Sequence, residues 1–226
     1  MRKPVVDYTK LRLNNITSPE YRHLLWLLGW VWYFSMYFIT ERVPVEKCHV
    51  IHSVVDDIIP FNEYFLLVYG SWYLLLAGTL LYFVLYDPKS LVRIQKFLIL
   101  TQFCAVVIYI VWPSIQLLRP EVFPRENILT TLMAMVYKFD TPTGVCPSMH
   151  CAFSFAILSA WFKKDDAKTW WKIVLVIWVL LICASVCFVK QHSFTDVWTA
   201  LILAVFVEAV LFGKYWIRRL RKEETE

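Results

Sequence analysis

Two histidines and an aspartate are the residues best suited to nucleophilic and acid–base chemistry. His192 and Asp196 are four residues apart, so on a helix they lie on one face, one turn apart. A carboxylate in that position accepts the N–H of one imidazole nitrogen and leaves the lone pair of the other nitrogen available for attack. The spacing therefore indicates a histidine nucleophile, His192, oriented by Asp196.

Side chains suited to a phosphoryl group occur in two other segments. Pro147 and Ser148 are residue types favoured at the start of a helix, where unpaired N–H groups and the helix dipole attract anions. His150 falls in that first turn and is placed to protonate a leaving oxygen. Arg119 can bind phosphate oxygens through two N–H groups at once. Together the three segments predict phosphoryl chemistry.

The chain that must position these residues is unusually apolar. Of its 226 residues, 59% are hydrophobic and 18% are charged, whereas soluble domains have about 45–50% apolar and about 25% charged residues. The apolar runs approach the roughly 17–25 residues that a helix needs to cross a bilayer, and they lack the alternation of barrel strands. We therefore expect an all-α membrane protein with six spans, near 24–40, 64–86, 96–113, 148–162, 171–189 and 197–217.

Basic residues indicate the orientation of these spans. Lysine and arginine are concentrated before the first span and after the second, fourth and sixth, as with Lys89, Arg93 and Lys96, and positively charged loops stay in the cytoplasm. Both termini are therefore expected to be cytoplasmic. The net charge of +5 then forms a basic rim that suits anionic lipid headgroups rather than nucleic acid.

This orientation divides the chain into three parts and places the polar segments together. The predicted parts are a cytoplasmic segment 1–23, a membrane domain 24–217 and a charged cytoplasmic tail 218–226. Segments 41–63, 114–147 and 190–196 are expected to face outward, so all the candidate chemical residues lie near one membrane face.

The polar segments resemble the motifs of the type 2 phosphatidic acid phosphatase superfamily of integral membrane enzymes. Those motifs are Lys-x6-Arg-Pro, Pro-Ser-Gly-His and Ser-Arg-x5-His-x3-Asp. Arg119-Pro120 matches the end of the first motif and Pro147-Ser148-Met149-His150 matches the second. Ser185, His192 and Asp196 match the third at the required spacing.

The resemblance implies a metal-independent phosphatase with six spans and no cofactor. His192 would form a phosphohistidine, His150 would act as acid, and Asp196 would hold His192. The expected substrate is an amphiphilic lipid phosphate, either a monoester or a diphosphate, which enters laterally at the outer face. The phosphate-binding candidates are Arg119, Ser148, Met149, Ser185 and Lys190.

Two cations of the family pattern are absent from their usual positions. The first lysine of the pattern falls on Trp112 and the second arginine falls on Val186. Lys190 is four residues after Val186, so on a continuing helix it would share that face, and we expect it to replace the arginine. Arg125 or Lys138 are candidates to reach the site in place of the lysine.

These departures leave alternative functions open. Similar weakening of the first motif occurs in lipid phosphotransferases that resemble inositol phosphorylceramide and sphingomyelin synthases, in which a lipid alcohol replaces water as acceptor. A non-catalytic scaffold or transporter is a third alternative, although it leaves the clustering of the histidines unexplained. The absence of a glycosylation pattern in the outer loops favours a bacterial plasma membrane.

Three further features are not explained by the motifs. Glu208 is an acid deep in the sixth span, for which we expect a structural role near the inner leaflet. Cys48 and Cys146 lie on the same predicted side, and a disulfide between them is left open. The segment around His49 and His52 has acidic neighbours, but its spacing fits no strong metal pattern.

Overall fold

The computed structural model describes residues 3–40 and 43–223, which are mostly helical. Arg2 and Glu41, which contribute to the predicted charge pattern, lie outside the described residues. Two-residue strands, β1 (His49–Val50) and β2 (Ser114–Ile115), pair in parallel, His49 with Ser114 and Val50 with Ile115. The α-helices are α1 (Gly29–Thr40), α2 (Val54–Ile58), α3 (Phe65–Tyr86), α4 (Pro88–Val111), α5 (Ile128–Phe139), α6 (Met149–Phe162), α7 (Thr169–Phe188) and α8 (Phe194–Glu223).

Four of these helices are long and apolar enough to cross a membrane. They are α3, α4, α7 and the part of α8 from Phe194 to Arg221. The fold is therefore mostly helical, as predicted, with four helices of spanning length among the described residues, whereas six spans stay a prediction. The first and fourth predicted spans correspond to α1 and α6, which have 12 and 14 residues.

The shortness of α6 follows from its position at the centre of the fold. It packs against α3, α4, α7 and α8, and its small residues Ala152, Ala156 and Ala160 are almost completely buried. A helix of this length rises roughly 21 Å, less than the roughly 30 Å of a hydrocarbon core. Because neighbouring helices rather than lipid surround α6, packing sets its length.

Three helix boundaries differ from the predicted spans. α4 begins at Pro88 rather than near 96, because the Asp87 side chain caps it by accepting the N–H of Ser90 (3.1 Å). The basic residues expected in a loop, such as Lys89 and Arg93, therefore lie on the first turns of a helix. The first span begins as a 3-10 helix (Arg22–Leu28), and α8 continues through most of the predicted tail.

The connections between helices fall at two ends of the bundle. The loop after α6, the Asp87 link and the N-terminal segment share one end, where Lys164 Nζ contacts Asp87 (3.2 Å) and Val5 N–H donates to Leu85 O (2.8 Å). The three segments predicted to face outward share the other end. The candidate chemical residues therefore occur together, in space, at that second end.

The hydrogen-bond partners of Glu208 lie near the end of α6 that is opposite to the candidate chemical residues. Its carboxylate accepts hydrogen bonds from Lys163 Nζ, from Trp216 Nε1 and from Ser159 Oγ, the last at 2.7 Å. The Lys163 side chain is only 1% exposed. This acid is thus part of a polar cluster that joins the C-terminal end of α6 to α8.

Cys48 and Cys146 are both free thiols in the structure. The Cys146 Sγ lies 3.2 Å from Thr199 Oγ1 on α8, and Cys48 Sγ lies 3.6 Å from the Pro44 carbonyl oxygen. The disulfide left open by the sequence is therefore not formed.

Candidate active site

The turn between α7 and α8 presents His192. Helix α7 ends at Phe188, and Lys190 adopts a left-handed conformation (φ 52°), as commonly happens where a helix terminates. The chain then folds back so that the N–H groups of Gln191 (3.0 Å) and His192 (3.1 Å) donate to the carbonyl oxygen of Val186. Residues 189–193 thus carry His192 just before α8, and they are here called the catalytic turn after the role predicted for that histidine.

His192 and Asp196 lie within hydrogen-bonding distance. The Nδ1 atom of His192 is 3.3 Å from Oδ2 of Asp196, and that oxygen also accepts the N–H of Ser193 at 2.9 Å. Asp196 is fully buried and His192 is 8% exposed. With Nδ1 directed to the carboxylate, Nε2 is the nitrogen available to a substrate.

The His150 ring lies edge-on to the His192 ring, with ring centroids 5.6 Å apart. It also contacts Tyr69 (4.8 Å) and Trp72 (4.6 Å). Within the described residues, His150 Nδ1 is buried without a hydrogen-bond partner. Because buried polar atoms are nearly always paired, this nitrogen is available to a polar group of another molecule.

The start of α6 is tied to the start of α8. Ser148 is the N-cap of α6, its Oγ accepting from the N–H of Cys151 (3.5 Å), and its own N–H donates to the carbonyl oxygen of Asp196 (3.0 Å). Met149 and His150 form the first turn, where helical N–H groups lack partners within the helix. The structure therefore brings Ser148, Met149 and His150 beside His192 and Asp196.

Arg119 reaches the same region but is held by protein acceptors. Its guanidinium donates to the carbonyl oxygens of Tyr137 (3.1 Å) and Asp140 (2.8 Å) and to Gln191 Oε1 (2.7 Å). It also stacks over the Tyr137 ring at 4.5 Å. Since Gln191 precedes His192, Arg119 contacts the catalytic turn directly.

Lys190 does not continue the helical face of Val186, because the helix ends two residues earlier. The expectation of a shared face is therefore wrong. Its Nζ donates to the carbonyl oxygens of Asp56 (2.9 Å) and Ile59 (2.6 Å) instead. Ser185 is fully buried, and its hydroxyl donates to Ile182 O (2.7 Å) within α7. The hydrogen bonds of Lys190 and Ser185 therefore direct their polar groups to backbone carbonyl oxygens rather than to a phosphate.

The other proposed replacement cations also have different surroundings. Arg125 donates two hydrogen bonds, both of 2.8 Å, to the buried carboxylate of Glu63. Lys138 is exposed in the last turn of α5. Trp112, at the position of the missing lysine, stacks on His49 with ring centroids 5.1 Å apart.

A cavity with about 650 Å³ of empty space, including its open mouth, adjoins the histidines. It lies between α1, α4 and the loop that precedes α6. Polar side chains contribute much of its lining, among them Tyr37, Gln102, Tyr109, Thr143 and Gln191, beside His150 and His192. The cavity gives a molecule larger than water access to both histidines.

Asp56 is a site residue that the sequence did not reveal. It is 4% exposed, and its carboxylate contacts Ser193 and Phe194 beside His192. These partners are 137 and 138 residues away in the chain, so no local spacing could indicate them. The only hint was the Ser53-x-x-Asp56 pattern of a helix capping box.

A sequence model of one family, the PAP2 superfamily, matches residues 90–220, which is more than half of the chain. No curated protein and no solved structure matches the chain.

Proposed function

Because the chain belongs to the PAP2 superfamily, the family that its motifs predict, we propose that it hydrolyses a lipid phosphate monoester or diphosphate without a metal ion. The observation that carries this proposal is the buried arrangement of His150, His192 and Asp196. Both imidazoles line one cavity and their ring centroids are 5.6 Å apart, so a phosphoryl group bound in that cavity would contact a nucleophile and an acid. The substrate is amphiphilic because the site lies at one end of a bundle with helices of membrane-spanning length.

In the first step, Nε2 of His192 attacks phosphorus and the bond to the leaving oxygen breaks. His150 gives its proton to that oxygen, which departs as the lipid alcohol or as a lipid phosphate. Asp196 fixes the tautomer of His192 and stabilises the positive charge of the phosphohistidine. In the second step, water attacks phosphorus, His150 takes the proton, and the bond between phosphorus and Nε2 of His192 breaks to release inorganic phosphate.

The phosphoryl oxygens would be bound at the start of α6. The first-turn N–H groups of Met149 and His150 offer hydrogen bonds and the positive end of the helix dipole. Ser148 holds that turn in place, and Arg119 supplies positive charge close to Gln191. Lys190 contributes by supporting the catalytic turn, since its ammonium binds the carbonyl oxygens of Asp56 and Ile59, whereas the Ser185 hydroxyl bonds within α7.

A second function, transfer of the phosphoryl group to a lipid alcohol, is favoured by the cavity beside the histidines. Both histidines line this cavity, which is larger than a single water molecule requires. The same phosphohistidine would serve both reactions, with an alcohol replacing water in the second step. In either case the site would face the outer side of a cell membrane, consistent with a bacterial plasma membrane.

The first experiment measures inorganic phosphate released by the detergent-purified protein from a panel of lipid phosphates, with a chelator present. We expect release by the wild type and a loss on the order of 10⁴-fold or more in His192→Ala, because removal of a nucleophile abolishes the covalent route. His150→Ala should lose about 10²–10⁴-fold, as expected for a general acid.

His52→Ala is the matched control, since His52 is an outer-end histidine that pairs with Asp57. It should retain wild-type activity. Activity that survives in His192→Ala would exclude the proposed nucleophile. Transfer of labelled phosphate to a lipid alcohol, without release of inorganic phosphate, would establish the second function instead of the first.

A further inference from the structure

Asp56 contacts the catalytic turn through its carboxylate. Its Oδ2 accepts the hydroxyl proton of Ser193 (2.5 Å), and its Oδ1 accepts the N–H of Phe194 (2.8 Å), the first residue of α8. Ser193 Oγ in turn accepts the N–H of Thr195 at 3.1 Å. One buried carboxylate therefore supplies acceptors to the N-terminus of the helix that carries Asp196.

The main chain around Asp56 holds the turn from its other side. The carbonyl oxygens of Asp56 and Ile59 accept two hydrogen bonds from Lys190 Nζ. The Lys190 carbonyl oxygen is itself bound by Gln116 Nε2 (3.0 Å). Residues 190, 193 and 194 are thus fixed by segment 56–59, and His192 lies between them.

The orientation of Asp56 is also determined by its own helix. Its Oδ2 accepts the N–H of Ser53 (2.8 Å), completing a capping box at the start of α2. Asp57, the next residue, is 64% exposed in its side chain and pairs only with His52 among the contacts described. The two adjacent carboxylates therefore have different surroundings, and only that of Asp56 faces the catalytic turn.

We propose that Asp56 is a positioning residue for the reaction, which holds the catalytic turn so that His192 and Asp196 keep their mutual geometry. Asp56 lies outside residues 90–220, the part that the family model matches. The inference rests on the proposed function where it predicts a change in kcat, but the contact between Asp56 and the catalytic turn can be tested separately. In this arrangement Lys190 stabilises the turn rather than binding phosphate.

Loss of the carboxylate leaves the Phe194 N–H, the Ser193 hydroxyl and the Ser53 N–H without their acceptor. A left-handed residue such as Lys190 has an intrinsic conformational cost, so the turn relies on these outside contacts. Displacement of a reacting group by about 1 Å can reduce a rate about 100-fold. Loss of the carboxylate should lower kcat and leave KM nearly unchanged, because Asp56 does not contact the phosphoryl site.

The test compares Asp56→Ala, Asp56→Asn and the control Asp57→Asn in two measurements. The first is kcat and KM for phosphate release, where we expect about a 100-fold lower kcat in Asp56→Ala with little change in KM. Asp56→Asn keeps an acceptor for the Phe194 N–H and should recover part of the loss. Asp57→Asn should match the wild type.

The second measurement is hydrogen–deuterium exchange of peptides covering residues 189–197, which needs no substrate. Faster exchange there in Asp56→Ala, but not in Asp57→Asn, is expected. Unchanged exchange, or a wild-type kcat in Asp56→Ala, would overturn the inference. If the wild type releases no phosphate from any lipid, the proposed function fails, and the exchange result alone decides whether Asp56 holds the turn.

Discussion

Glu63 is a carboxylate with no exposed surface, placed just before α3. Its oxygens accept two hydrogen bonds from Arg125 and one from Asn127 (2.9 Å). The Arg125 guanidinium, whose hydrogen bonds favour the charged form, lowers the pKa of Glu63 from 4.5 to about 2. This residue therefore joins the start of α3 to the loop before α5 through a charge that must remain ionised.

The lowered pKa predicts how this ion pair contributes to stability as pH changes. The contribution is complete above pH 4.5, the ordinary pKa of the unfolded chain, and is lost as pH falls toward about 2. Glu63→Gln should lower stability at pH 7 by roughly 1–3 kcal/mol, because the hydrogen bonds to a charged acceptor weaken. Its melting temperature should also depend less on pH between 4.5 and 2 than that of the wild type.

The measurement is thermal unfolding in detergent at a series of pH values. Glu121→Gln, which changes an exposed acid at the same end of the bundle, is the control and should follow the wild-type curve. Identical pH dependence in Glu63→Gln and the wild type would contradict this account of the ion pair.

At the residue scale, contacts within one helical turn could be predicted and distant ones could not. The four-residue spacing of His192 and Asp196 indicates their proximity, and Ser148 is the helix cap that its type suggests. Lys190 does not lie on the predicted helical face, because α7 ends at Phe188 and the chain then reverses direction. The apolar composition of this segment gives no sign of that helix end. Asp56 was missed because its partners come from the far end of the sequence.

At the scale of elements, the end of α6 is joined to α8 by charges in an apolar setting. Lys163 is almost fully buried, and its Nζ also lies 4.3 Å from the centroid of the Phe212 ring. A buried ammonium without its carboxylate is costly, whereas replacing both members of such a pair is often tolerated. The pair is therefore sensitive to the loss of one partner.

Glu208→Ala should reduce stability by about 3–5 kcal/mol, because Lys163 would remain buried without its partner. The double variant Glu208→Ala/Lys163→Met should recover part of that loss. Thermal unfolding in detergent measures both effects. Asp165→Ala, an exposed acid near the same end, is the control, and a Glu208→Ala protein as stable as this control would refute the role of the pair.

Helix boundaries show which sequence signals determine an element. Apolar length predicts the positions of α3, α7 and α8, but it places the start of α4 about two turns too late. Asp87-Pro88 is a cap followed by a favoured first residue, and this local signal determines the start. The short α6 could not be predicted from length, because its burial by four neighbours becomes known only once the helices are packed.

At the scale of the whole molecule, the arrangement predicts sidedness. The N-terminal segment contacts the ends of α3 and α4 opposite the catalytic turn, whereas loop 112–127 lies at the same end as the turn. Single cysteines at Leu13 and Val122, which are 92% and 83% exposed, should therefore react on opposite sides of a membrane.

The experiment treats intact cells with an impermeant maleimide, in a Cys48→Ser background that removes a native outer thiol. Val122→Cys should be labelled, and Leu13→Cys should be labelled only after the cells are opened. Labelling of Leu13→Cys in intact cells would place the N-terminus outside and reverse the proposed orientation of the site.

The helical architecture could be predicted from composition, because a helix in lipid satisfies the hydrogen bonds of its own backbone groups. The family followed from the second and third motifs, and the match over residues 90–220 confirms it. The detailed arrangement of the outer segments did not follow, because the pairing of β1 with β2 and the contacts of Asp56 depend on folding rather than on local pattern. Those segments supply much of the support for the catalytic turn.

The contact between Asp56 and Ser193 also has a consequence for the order of biogenesis. A ribosome adds about 5–20 residues per second, and 137 residues separate these two partners. On the order of ten seconds therefore passes between the emergence of Asp56 and that of Ser193. Throughout that interval the carboxylate is without its partner, so the contacts between Asp56 and the catalytic turn form only after α7 has been made.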